Sequence, residues 1–471
     1  MPRRPSLRRM IPALLLAAPA LQAQTAQPDP NLVFFLLAEQ SRTAFTVQGA
    51  GARAIGTGGA FIAVADDATA VSFNPAGLAQ LLRPEFSTVG KQLNRRQDFQ
   101  RFSGPDVAFD DSSSTDSSTS PDFWSFTLPW KHNGLNYTFQ LSRQRIFDFS
   151  FTSDREFNSR VGTSPRKNRQ YVDQRGGVNL WSAAFGAELT PRLLLGGSLN
   201  LWRGSWSFKS DSLAMTPAGA PLTELSFQQD NSFKGFNWSI GTIWRSEYLN
   251  VGAVYRSAFT ADYGFTNTVG FEDYTGTTED TLDQSPAQTF RLEWPESLGA
   301  GLGLHLHPRW LVTADWTRIR WSRTTIRADR SPYDGLNFFD LQAATRTPDI
   351  VDFHTGTEWI AFVGDRVVIP VRAGFFREPQ PLVDRRTGEQ RVFKGWTAGF
   401  GVKSGALTVD VAFKKSDSMR KVSRLQFTST GTTSYTVGEE DLDEKRYYIS
   451  LIWQMNPDRV KKTLHWLFVG N

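Results

Sequence analysis

Few residues in this chain are of the kinds that do chemistry. Cysteine is absent and only five histidines occur, at 132, 305, 307, 354 and 465, in 471 residues. Disulfides and thiolate chemistry are thereby excluded, and a Ser–His pair has little to draw on. His305 and His307 stand two apart, which on a strand puts both on one face. A zinc site needs a third ligand beside them, and none is near in the sequence, so no metal site is expected. No Gly-x-Ser-x-Gly elbow, phosphate loop or dinucleotide-binding glycine pattern is present; no catalytic residue and no cofactor are expected. What remains is a pair of acids in an otherwise nearly uncharged stretch, Gly49–Leu82, GAGARAIGTGGAFIAVADDATAVSFNPAGLAQLL. Asp66 and Asp67 precede Ala68-Thr69-Ala70, where a carboxylate would cap a short helix or meet an inward-facing arginine from a surrounding wall. Asn74-Pro75-Ala76 initiates a turn, because proline biases the asparagine before it away from the helical region. Gly58 and Gly59, with glycines at 49, 51 and 56, permit positive φ and close backbone approach.

A segment this rich in glycine cannot build a core of its own, since glycine contributes no apolar side chain and loses the most backbone entropy on ordering. It requires a container. The rest of the chain reads as one, because it is a series of alternating strands. In Leu407–Lys414, apolar Leu407, Val409, Val411 and Phe413 alternate with Thr408, Asp410 and Lys414, so the two sets face opposite sides. Leu249, Val251, Ala253, Tyr255 and Phe259 oppose Asn250, Gly252 and Arg256 in the same way. Asn200, Arg256, Arg318 and Asp410 are read as lumen-facing on this alternation. Candidate strands fall at 84–94, 122–130, 135–152, 178–188, 192–209, 236–245, 249–266, 295–306, 310–323, 351–361, 367–378, 394–402, 405–416 and 445–455. That is fourteen, an even number, as a single-chain bacterial barrel requires. Pro370 falls inside one of them and marks a bulge or a strand start.

The connections alternate in length. Short turns fall at 131–134, 189–191, 246–248, 307–309, 362–366 and 403–404, while polar links of 15 or more residues fill 95–121, 153–177, 210–235, 267–294, 324–350, 379–393 and 417–444. Short turns on one side and long loops on the other are the asymmetry of an outer-membrane barrel. No run reaches the roughly 18 apolar residues of a spanning helix. The expected architecture is all-β: a fourteen-stranded antiparallel transmembrane barrel, 84–455, with a plug of short helices, 24–83, in its lumen.

The N-terminus has the form of an export signal, residues 1–23: Arg3, Arg4, Arg8 and Arg9 precede the apolar run IPALLLAAPAL and then small residues. Those arginines supply four of the five net positive charges, leaving +1 on the remainder, so charge gives no support for a nucleic-acid partner. Residues 456–471 form a C-terminal extension beyond the last strand. The acid-rich Glu439-Glu440-Asp441 and Asp443-Glu444, and Asp110-Asp111, are read as solvated loop, with a divalent ion bridging lipopolysaccharide as the alternative.

The segment resembles the FadL family of outer-membrane transporters for long-chain fatty acids and hydrophobic compounds, including the toluene and xylene uptake proteins. The likeness rests on Gly51-Ala52-Arg53-Ala54, Gly58-Gly59-Ala60, Ala65-Asp66-Asp67-Ala68, Val71, Asn74-Pro75-Ala76 and Arg83-Pro84-Glu85-Phe86-Ser87. It covers about residues 47–90; beyond them it is architectural. The resemblance implies a hatch that blocks the lumen, with Asn74, Pro75, Ala76, Gly58, Gly59, Asp66 and Asp67 as hatch or gating residues. It also implies a pocket for a hydrophobic ligand and lateral release into the bilayer. The implied setting is the outer membrane of a Gram-negative-type bacterium, as a monomer among lipid and lipopolysaccharide, inserted by the barrel assembly machinery. The substrate-contacting residues are not readable from the sequence. A barrel of the PorV type, which has a similar opening and docks secreted cargo, is the alternative reading, and an open diffusion porin a third.

Overall fold

The computed structural model describes residues 49–460, apart from 105–106, 162, 278, 285–286, 328–344, 385, 428–432 and 459. The export signal assigned to 1–23, residues 24–48 of the plug segment, and 461–471 of the extension lie outside the described residues. Strands β1 (Glu85–Ser103), β2 (Ser112–His132), β3 (Leu135–Asp148, continued by Phe151–Val161), β4 (Ser164–Thr190) and β5 (Leu193–Met215) begin the wall. β6 (Pro221–Arg245), β7 (Leu249–Arg256, continued by Phe259–Asp273), β8 (Gln288–Trp294, continued by Ser297–His307) and β9 (Trp310–Ile319) follow. β10 (Ile350–Val363), β11 (Val367–Asp384), β12 (Gln390–Ser404), β13 (Leu407–Phe427) and β14 (Thr433–Gln454) complete it. Each pairs antiparallel with the next, and β1 closes on β14 from Glu85 opposite Gln454 onward. A closed ring leaves no unpaired edge, which is what allows a sheet to cross lipid.

The alternation is inside-out relative to a soluble protein. Asp410 and Lys414 are 1% and 3% exposed, whereas Leu199 and Ile449 on outward positions are 58% and 56% exposed. Aromatics recur six residues apart on the outer face, at Trp238 and Trp244, Trp310 and Trp316, and Tyr447 and Trp453. At about 3.3 Å per residue they stand roughly 20 Å apart along each strand, as interfacial anchors do.

All fourteen predicted strands are present, but among the described residues the long links are mostly strand. β4, β5 and β6 have 27, 23 and 25 residues, against the 9–11 that a tilted spanning strand needs. The wall therefore rises well beyond the bilayer on the side away from the short turns. The outer face of those upper halves is largely polar and the inner face carries only scattered apolar side chains such as Val172, Phe227 and Phe233, so hydrophobic alternation does not reveal them. The acid run is part of this extension rather than a loop: Glu444 accepts from Arg95 at 2.8 Å and Arg446 at 2.5 Å, and Glu440 from Arg391 at 2.5 Å. Pro370 sits beside a register shift between Ile360 and Phe362, the bulge its missing N–H calls for.

Two facings differ from expectation. Arg318 points outward to Asp349 at 2.9 Å, because its neighbours Thr317 and Ile319 take the lumen positions. Phe259 turns inward, because β7 breaks at Ser257-Ala258 and the strand resumes with its faces exchanged. β8 breaks beside it: Arg256 pairs with Ser297 and Phe259 with Trp294, leaving Pro295-Glu296 opposite the β7 break.

Candidate functional site

Residues 49–82 lie across the inside of the ring and touch strands on both sides of it. Their local structure follows from their glycines and caps. Helix α1 (Ala52–Gly56) is stopped by Gly58 and Gly59 at φ +75 and +87, with Gly59 N–H donating back to Ala54 O at 2.9 Å. The turn Pro75–Gln80 starts on Asn74, whose Oδ1 accepts from Ala76 N–H at 3.1 Å, with Pro75 in the first position.

Asn74 is fully buried, and its amide does more than cap. Nδ2 donates to Ile62 O at 3.0 Å within the segment, and to Thr242 O at 3.1 Å and Ala253 O at 3.3 Å on β6 and β7. One side chain thus ties two passes of the segment to two wall strands. Asp67 accepts from Thr69 N–H at 2.8 Å and Thr69 Oγ1 at 2.6 Å, a local turn that leaves it buried. Burial pushes the Asp67 carboxyl above its ordinary range, against the lowering effect of Arg53 and Thr69.

The arginine that meets the acids comes from the segment itself and not from the wall. Arg53 pairs with Asp66 and reaches Glu358 on β10 at 2.9 and 3.1 Å. Glu358 also takes Arg372 at 2.5 Å, and Arg372 takes Asp410 at 2.6 Å. Arg53 was legible as the one cation in an otherwise acidic segment, but its partner on a strand 305 residues away was not. The wall does supply an arginine: Arg256 donates to Ser72 O at 3.0 Å and Phe73 O at 2.9 Å, so it holds carbonyls rather than the aspartates.

Glycines on the wall make room for this segment. A Cβ on Gly252 would stand 2.6 Å from Ile62 O, and one on Gly186 would stand 2.7 Å from Ala79 N. Gly196 and Gly241 lie equally close under Pro75 and Asn74, and Gly356 and Gly374 under Thr57 and Gly58. Gly58 is held in that seat by Thr397, whose Oγ1 accepts from its N–H at 2.9 Å, and by His354 Nδ1 at 2.6 Å from its carbonyl.

Above the segment, away from the short turns, is a cavity of about 110 Å³. Ile55, Gly58, Gly59, Ile62, Val71 and Phe73 form its floor. Its side and roof are aromatic. Trp202 stacks on Phe259 with centroids 5.2 Å apart, Trp294 meets Trp321 edge-on at 5.2 Å, and Phe233 meets Trp294 at 5.5 Å. A cavity of ~150 Å³ lined by apolar side chains is enough to bind benzene, so this one has the scale of a single small ring. The sequence reading did not find these residues. They come from β5, β6, β7, β8 and the link after β9, and inward-facing tryptophans look the same in sequence as interfacial ones.

The chain has the fold of the FadL-type barrels. The structure of a FadL homologue from Pseudomonas aeruginosa superposes with a TM-score of 0.60 at 12% identity, over 88% of this chain and 100% of that one. The P. putida toluene transporter TodX gives 0.56 at 13% identity, over 87% and 100%. The Ralstonia pickettii toluene transporter TbuX gives 0.54 at 14%, over 88% and 100%. No family model and no curated protein matches the sequence. In this FadL-type fold, Asn74, Pro75, Ala76, Gly58, Gly59, Asp66 and Asp67 all fall in the segment that crosses the lumen, and all but Asp66, which is exposed, are buried or half-buried there.

Proposed function

We propose that this protein lies in the outer membrane and admits hydrophobic small molecules, long-chain fatty acids or aromatic hydrocarbons, without nucleotide or covalent chemistry. The observation that carries this reading is the aromatic cavity closed below by residues 49–82. Apolar solutes cross a lipopolysaccharide layer poorly, and burial against apolar side chains favours them by about 25 cal/mol per Å². Residues 49–82 act as a hatch, with Asn74-Pro75-Ala76 as the hinge of its seat and Arg53–Glu358 as a second tether. Solved structures described as toluene transporters share the fold, which supports an aromatic cargo here. The paired breaks in β7 and β8 lie level with Phe259 and Trp294 of the cavity. We place lateral release there, because unpaired residues on adjacent strands are where a wall parts with the fewest hydrogen bonds lost. The barrel works as a monomer, delivered by export and by the barrel assembly machinery.

Uptake of labelled fatty acid and labelled toluene by cells with and without the protein tests the reading, together with mass spectrometry of molecules copurified with the barrel. Faster uptake and a copurified apolar ligand are expected. Equal uptake with no ligand retained would refute it.

A further inference from the structure

The cavity has a second, polar side whose chemistry narrows the ligand. Reading up β9 and β10 from the hatch, the lumen positions come in cross-strand pairs: Asp315 opposite His354, Thr317 opposite Asp352, then Ile319 opposite Ile350. Asp315 and His354 face down to the hatch: Asp315 Oδ2 accepts from Phe61 and Ile62 N–H at 2.6 and 2.8 Å, and His354 Nδ1 meets Gly58 O. Ile319 and Ile350 face up into the aromatic cluster with Trp321. Asp352 sits between, 4% exposed, lining the cavity. Its Oδ1 has no hydrogen-bond partner among the described residues, and neither does Oδ1 of Asp315.

A buried acceptor without a donor is costly, and such groups in native proteins point to something that binds there. The cations nearby are engaged. Lys414 Nζ donates to Glu378 at 2.8 Å and lies 3.8 Å over the Phe376 ring. Arg256 is held by the Ser72 and Phe73 carbonyls. Three carboxyl groups, Asp315, Asp352 and Glu378, thus line one side of a ring-sized apolar space, and its cations are already matched. That arrangement repels a carboxylate ligand and attracts a donor.

We infer that the ligand is a single-ring aromatic carrying a hydroxyl of the phenol type, its ring among Trp202, Trp294 and Trp321 and its O–H donating to Asp352. The inference rests on the reading of this cavity as the ligand site and names the class of ligand. Neither the hatch tethers nor the aromatic wall predicts it, because both would serve toluene equally well.

Three molecules that share a ring and a methyl group separate the possibilities: 4-methylphenol, toluene and 4-methylbenzoate, each radiolabelled and dialysed to equilibrium against the purified full-length barrel in detergent, with protein-free micelles as the blank. Binding in the order 4-methylphenol, toluene, 4-methylbenzoate is expected. The phenol should bind about tenfold more tightly than toluene, the factor an ordinary buried hydrogen bond contributes. In Asp352→Leu the phenol should fall to the affinity of toluene, while Asp352→Asn, which keeps an acceptor oxygen, retains part of the preference. Heat-modifiable migration in detergent gels checks that each variant is a folded barrel, and the wild-type order holds the test even if a variant fails to assemble. Equal binding of the phenol and toluene, tighter binding of the benzoate, or an undiminished preference in a folded Asp352→Leu barrel would overturn the inference while leaving the ligand site standing. Binding of none of the three would remove both.

Discussion

Replacing Asn74 by alanine should unseat the hatch without preventing the barrel from assembling. The magnitude follows from the contacts. Loss of the Oδ1 cap on Ala76 costs about 1 kcal/mol, the usual value for an N-cap asparagine. The three acceptors of Nδ2, Ile62 O, Thr242 O and Ala253 O, share two N–H groups. They therefore count as about two hydrogen bonds of roughly 1 kcal/mol each. The seat loses about 3 kcal/mol, which is on the order of a hundredfold in the equilibrium between seated and unseated hatch. None of these bonds belongs to the ladder between wall strands, so the ring stays closed. Native-state hydrogen exchange read by mass spectrometry should show peptides covering 61–64 and 76–79 exchanging about a hundredfold faster, with peptides from β13 and β14 unchanged. Uptake should fall as well, because Ile62 and Phe73 form part of the cavity floor. Wild-type exchange rates in both hatch peptides would refute the assignment of Asn74 as the tie. Loss of heat-modifiable migration would show instead that it is needed for assembly.

Gly252→Leu should also leave the barrel assembled and the hatch unseated, since its Cβ would collide with Ile62 O; limited proteolysis of the hatch in detergent, with faster cleavage expected, checks this. Arg53→Met removes the largely buried pair with Glu358 on β10 and should loosen the hatch by about 3 kcal/mol, as breaking such a pair does; the same exchange peptides report it, and an unchanged rate would count against the second tether. Trp202→Ala removes a ring stacked on Phe259 and should weaken toluene and 4-methylphenol alike, by tenfold or more in equilibrium dialysis. A loss for only one of the two would mean that Trp202 does not form the shared ring site.

Much of the barrel was legible because a membrane wall imposes a period of two on every strand, and that period survives in any one strand without knowledge of its partners. Leu407–Lys414 reads correctly for this reason, with Asp410 and Lys414 inside, and so do the short turns and the count of fourteen. Legibility stopped where lipid no longer selects the outer face: the upper halves of β2 and β4–β6 looked like loops because their outward residues are largely polar and inward ones such as Val172, Phe227 and Phe233 are too scattered to show a period. It also stopped at the break in β7, where a one-residue slip in register against β6 turned Phe259 from the lipid face to the lumen. The hatch stood out through its glycines and its Asn-Pro-Ala turn, and its one arginine was visible.

What Arg53 holds was not visible, since Glu358 is brought to it only by the curvature of the ring. The same holds for the cavity. Trp202, Trp294 and Trp321 are scattered over 120 residues of sequence, and Asp352 reads as an ordinary polar position of an alternating strand. A local pattern determines which way a side chain points along its own strand. Which side chains then share the lumen, and which acceptor is left there without a donor, is decided only when the ring closes around the hatch.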